Sequence, residues 1–189
     1  MAGSTHVILK YQVAMSITLH ILTAVWLLFL CATMRYSVQM FQQNSYRVAR
    51  YNRWLISTHE WLSRANILSV LGAVLLTLTD NIVVVALIGI WMLVIAIAEF
   101  SIKYKIAIVY TMRVKRLMAT RLLLTAAIIA LVHIYAVEYT FAAMFLLSLD
   151  YWTIVANLLN KPLEAAISRW YYNDAKRMLR AMPNLKVIG

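Results

Sequence analysis

Long apolar runs separated by basic segments constrain this chain more than any other feature. Val13 to Met34 is a 22-residue stretch with no Asp, Glu, Lys or Arg, which meets the ~20 residues an α-helix needs to cross the ~30 Å hydrocarbon core of a bilayer. Further runs extend from Asn66 to Thr79, Ile82 to Ala98, Leu122 to Val137 and Phe141 to Leu159. Their residues do not alternate, and 4 Gly and 2 Pro leave little punctuation for a many-stranded barrel, so the spanning element is helical. With 63% hydrophobic and 13% charged residues, against roughly 45–50% and about 25% in a soluble domain, the chain has more apolar surface than a soluble core can hide. The sequence therefore predicts an all-α, polytopic integral membrane protein of about five transmembrane helices: one first helix, then two hairpins. The first run reads as retained rather than as a signal peptide, because Lys10 is its only leading charge and no small-residue cleavage pattern follows it.

Charge orients the helices. Arg35 to Arg64 holds five arginines against Glu60, Lys103 to Arg121 holds six basic residues, and Lys161 to Lys186 holds six against Glu164 and Asp174. The alternate turns, Thr79-Asp80-Asn81 and Glu138-Tyr139-Thr140, carry no Lys or Arg. Basic segments stay cytoplasmic, which places the N-terminus outside and the C-terminus inside. The net charge of +11 is thus explained by cytoplasmic loops facing anionic lipid, ahead of nucleic-acid binding. Cys31 has no partner for an intrachain disulfide, being the 1 cysteine of the chain.

The segment 36–61 has apolar and aromatic residues at roughly helical spacing among Arg47, Arg50 and Arg53, the pattern of an interfacial amphipathic helix. Its arginines either meet lipid phosphate in general, or Asn44, Ser45, Tyr46, Arg47, Arg50 and Arg53 form a site for a particular phosphate-bearing ligand, since a guanidinium fork pairs with any phosphate. Lys161 to Met182 reads as a second, connector helix, with Pro162 in its first turn and Lys176, Arg177 and Arg180 at its negative end. Inside the bilayer, an ionised Asp150 costs ~2.5–3.5 kcal/mol on insertion scales, so it must face something polar or be protonated. Counting inward, His20 falls at a similar depth, which makes His20 and Asp150 a candidate pair between the first and fifth helices, either as structural glue or on a proton or substrate path. The pairs Glu60/Arg64 and Glu99/Lys103 have i,i+4 spacing. Four scattered histidines give no metal-ligand spacing, and neither a GxSxG motif nor a P-loop is present.

Two stretches resemble a known family. Asn173-Asp174-Ala175-Lys176-Arg177, followed by Met182-Pro183-Asn184-Leu185-Lys186-Val187-Ile188-Gly189, is similar to the lead-in to the ATP-binding domain of bacterial Mur ligases. Phe41 to Leu55 resembles the membrane extension ahead of some ligases of the type that adds D-alanyl-D-alanine to a UDP-muramoyl-tripeptide. The resemblance implies that Val187-Ile188-Gly189 opens onto a Gly-Lys-Thr or Gly-Lys-Ser phosphate loop, and that ATP and Mg²⁺ belong to that further domain, with no cofactor and no catalytic residue on residues 1–189. Three functions follow as expectations. The first is a non-catalytic domain, 1–160 with a connector at 161–189, that anchors a peptidoglycan-precursor ligase in the bacterial plasma membrane, among membrane lipids and other cell-wall enzymes and open to homo-oligomerisation. The second is a binding module for a polyprenyl phosphate or lipid-linked intermediate. The third is a small transporter or integral membrane enzyme using Asp150 and His20.

Overall fold

The computed structural model describes residues 2–79, 81–102 and 106–181, with side chains at 17, 18 and from 20 onward. Asp80, Lys103 and the family-like segment from Met182 to Gly189 lie outside the described residues. Seven α-helices carry the fold: α1 (Ala2–Gln43), α2 (Val48–Ser57), α3 (Arg64–Leu78), α4 (Ile82–Ser101), α5 (Met112–Tyr135), α6 (Thr140–Leu147) and α7 (Trp152–Arg180). Single 3₁₀ turns at Glu60–Leu62 and Val137–Tyr139 lead into α3 and α6, and there is no strand among the described residues.

Three of these helices are long and apolar enough to cross a membrane: His20–Gln43 within α1, α4 and α5. A fourth crossing is available only if α6 and α7, bent by 84° at their junction, count as one broken span. Two of the five expected spans are not single full-length helices. Helix α3 has 15 residues, about 22 Å at ~1.5 Å per residue, short of the hydrocarbon thickness. The run Phe141 to Leu159 is interrupted at Ser148-Leu149-Asp150-Tyr151, where the helix stops and restarts.

Local chemistry sets the other ends. Ser63, Asn81 and Thr111 cap α3, α4 and α5 by accepting from Asn66, Val83 and Val114 backbone N–H groups. Instead of an interfacial helix over 36–61, α1 continues to Gln43 because Ser37, Val38, Gln39, Met40 and Phe41 are buried in the bundle. Gln39 Nε2 donates to the Ile106 carbonyl at 2.5 Å, and Gln42 exchanges two bonds with the Val109 backbone at 3.1 Å, tying α1 to the α4–α5 connection. The chain then reverses through Ser45 and Tyr46, both left-handed with φ of 56° and 55°. Instead of a separate connector helix with Pro162 in its first turn, helix α7 starts at Trp152 and continues through Pro162. The lost amide there is bracketed by Thr120 Oγ1 donating to Asn160 Oδ1 at 3.0 Å and by Arg116 donating to Glu164 at 2.6 and 3.1 Å.

The interior has two apolar clusters. One packs Trp26, Phe29, Met92, Ile95 and Phe145; the other packs Phe41, Tyr51, Leu55, Val114 and Leu117. Gly72 lets α3 and α6 meet in the first, since a Cβ there would overlap the Phe145 ring. Outward, Leu71, Val83, Leu87, Ile90, Val94, Leu123 and Ile134 are exposed, an apolar exterior that fits lipid rather than water. The molecule is a helical membrane protein.

Candidate functional site at the broken helix

Between the two apolar clusters lies a buried polar layer: Thr33, Ser37, Asn66, Arg121, Ser148, Asp150 and Thr153. It is organised by the α6–α7 break. A helix interrupted in a membrane strands backbone groups that no water can satisfy, so such breaks persist only where protein or a cavity supplies partners. Arg121, 1% exposed on α5, supplies them. Its Nη2 donates to the Leu149 carbonyl at 3.1 Å and the Ser148 carbonyl at 3.4 Å, while Nη1 donates to Ser37 Oγ at 2.5 Å and Thr153 Oγ1 at 2.6 Å. One rigid fork therefore joins α1, α5 and both halves of the broken helix. Trp26 Nε1 adds bonds to the Met144 carbonyl at 2.8 Å and Ser148 Oγ at 3.0 Å.

Asn66 serves the opposite side of the break. Its Oδ1 accepts from the Asp150 backbone N–H at 3.2 Å, and its Nδ2 donates to Asp150 Oδ2 at 3.0 Å and to the Glu60 carbonyl at 2.9 Å. Asp150 Oδ1 is left buried without a hydrogen-bond partner. Beside it opens a cavity of about 440 Å³, lined by Thr33, His59, Glu60, Arg64, Glu99 and Asp150 among others. In a chain with 7 acidic residues in all, three carboxylates converge there. His59 enters the wall in the left-handed region, φ 55°, a strained conformation for a residue with a Cβ. Arg35, at the same end of the bundle, donates to the Glu99 carbonyl at 2.7 Å and lies over the Phe100 ring at 5.3 Å. Among the described residues no group of acidic, His or Cys side chains is placed to hold a metal.

The residues singled out from sequence are dispersed. Asp150 does occupy a polar centre, but α1 shares its cavity through Thr33. His20 is exposed on the same helix, 13 residues or roughly 20 Å away, so the candidate His20–Asp150 pair does not form and Asn66 is the partner instead. His133 approaches Thr140 at 3.3 Å. Asn44 closes α1 by donating to the Met40 carbonyl at 2.9 Å, and Tyr46 is packed between Phe41 and Arg113, whose guanidinium carbon sits 4.2 Å from its ring centre. Arg47 precedes α2, and Arg47, Arg50 and Arg53 are exposed while Tyr51 and Leu55 are buried. Burial pushes the Tyr51 hydroxyl above the ordinary phenol range. The phosphate-site residues thus divide into three that build a turn, Asn44, Ser45 and Tyr46, and three that face outward. Glu60 and Arg64 share the cavity wall; the described salt bridges are those of Arg113 and Arg116 with Glu164.

Arg121 and Asn66 escaped the sequence reading. Arg121 looked like the last residue of a cytoplasmic basic segment, although it stands ten residues into a helix that starts at Met112; that depth is the signal that marked it. Compared with protein-family models, curated proteins and solved structures, the chain has no match.

Proposed function

We propose that this chain is the membrane-anchoring and organising domain of a peptidoglycan-precursor ligase of the Mur type, without catalytic residues of its own. The observation that supports this reading is helix α7. Its first turns are fastened to the bundle through buried Thr153, Ala156, Asn157 and Asn160, with Glu164 clamped by Arg116. From there to Arg180 most residues are exposed, a stretch of about 24 Å at ~1.5 Å per residue that leads toward the family-like segment. A rigid stalk rooted in a membrane bundle suits a tether, which raises local concentration without adding a catalytic group.

In this reading the protein lies in the bacterial plasma membrane with its N-terminus outside and its C-terminus cytoplasmic. Helix α3, extended by Glu60–Leu62, serves with α1, α4, α5 and the broken pair as a five-crossing arrangement. Arg47, Arg50 and Arg53 meet anionic lipid or a polyprenyl phosphate, cell-wall membrane enzymes are neighbours, and ATP with Mg²⁺ is bound by the domain beyond the stalk. The test inserts a protease site between Ala181 and Met182 of the native protein. Membranes should hydrolyse ATP in response to UDP-muramoyl-tripeptide and D-alanyl-D-alanine, and cleavage should release that activity while the bundle stays in the membrane. Membranes with no such activity would refute the proposal.

A further inference from the structure

Two cavities of opposite character meet at Arg64. On the exterior of the α3–α4 pair, Ile67, Leu71, Leu75, Val84, Leu87 and Trp91 line an apolar groove of about 390 Å³. Along α3 it runs from Leu75 to Arg64, roughly 16 Å of helix. Arg64 is the residue that also lines the carboxylate cavity of about 440 Å³. Following this line, a ligand meets an apolar channel, then a guanidinium at the N-terminus of a 15-residue helix, then Glu60, Glu99 and Asp150.

The order of chemistries specifies an amphiphile. The groove takes an acyl chain. Arg64 and the positive end of α3 favour a phosphate. The carboxylates beyond favour a cation, and Asp150, a residue of the cavity wall, has a buried Oδ1 without a hydrogen-bond partner. A purely anionic headgroup would set its charge against the three carboxylates. A choline headgroup is cationic but has no N–H to donate, whereas a primary ammonium has three. We propose that the groove and the cavity form one binding site for an ethanolamine-type phospholipid, with its phosphate at Arg64 and its ammonium among Glu60, Glu99 and Asp150.

The test is native mass spectrometry of the full chain in detergent micelles, with dioleoyl-phosphatidylethanolamine, -phosphatidylcholine or -phosphatidylglycerol added at equal mole fraction. A retained ethanolamine lipid should exceed the choline lipid by about tenfold, the ratio expected for one to two charge-assisted hydrogen bonds. Glu60→Gln/Glu99→Gln, both at half-buried positions, should bring the two lipids to within about twofold while the melting temperature is preserved. Leu71→Trp, which fills the groove from an exposed position, should reduce retention of every lipid. Equal retention of all three lipids by the native chain, a preference for the glycerol lipid, or an unchanged ethanolamine preference in the double Gln variant would overturn the proposal.

Discussion

Replacing Arg121 by Met should be among the most damaging single changes available to this bundle. Met fills much of the same volume, so the loss is polar. The Ser148 carbonyl loses its donor, while the Leu149 carbonyl keeps only the Trp152 N–H at 3.2 Å. Ser37 and Thr153 retain each other at 2.9 Å. Asp150 also loses the nearby positive charge of Arg121, which acts on it through space rather than as a direct ion pair. Each buried polar group left without a partner costs ~1–3 kcal/mol, so the losses together are a large share of the ~5–15 kcal/mol that holds a domain folded. Removing both charges, in Arg121→Met/Asp150→Asn, should be milder than the two single losses summed, by ~1–3 kcal/mol. The assay is unfolding in mixed micelles by titration with sodium dodecyl sulfate, followed by fluorescence of the 6 tryptophans. Arg121→Met within ~0.5 kcal/mol of the native chain, or strictly additive losses in the double variant, would refute the view that Arg121 holds the broken helix together.

Other consequences follow from the same contacts. Gly72→Ala forces a methyl into the Phe145 ring and should cost ~1–3 kcal/mol as overpacking, read in the same titration; Gly89→Ala, where the nearest atom is 3.4 Å away, is the control and should be near neutral. Trp26→Phe keeps the ring in the core but deletes the donor to Met144 and Ser148, for a loss of ~1–3 kcal/mol. Arg116→Gln should barely move global stability, because a half-exposed ion pair contributes at most ~1 kcal/mol, yet amide hydrogen exchange across Lys161–Ile167 should accelerate as the stalk is unclamped. Arg50→Gln/Arg53→Gln should weaken binding of the detergent-extracted chain to phosphatidylglycerol vesicles by ~1 kcal/mol per charge, without affecting stability.

The helical membrane class was legible because the apolar runs are long and uninterrupted, which no soluble or barrel fold accommodates. The hidden feature was discontinuity. Ser148-Leu149-Asp150-Tyr151 reads locally as a polar patch in a run of adequate length, and only the partners brought by α3 and α5, Asn66 and Arg121, make a break there tolerable. Those partners are distant in sequence by 84 and 28 residues, beyond the reach of periodicity. Tyr36 to Gln43 looked interfacial because it opens a segment whose apolar and aromatic residues recur at roughly helical spacing among arginines, yet Ser37 and Gln39 are spent on internal bonds. The cavity illustrates the same limit. Glu60, Glu99 and Asp150 were each visible as charges near apolar runs, but each was given a neighbour in sequence or depth, and only tertiary structure sets them around one space.

The most direct test of the account is the mass and peptide sequence of the native membrane product beyond Gly189. The account predicts peptides that continue from Val187-Ile188-Gly189 into a Gly-Lys-Thr or Gly-Lys-Ser loop and a protein large enough to carry a nucleotide-binding ligase domain. A product that ends at Gly189, or continues without such a loop, would contradict the anchoring role.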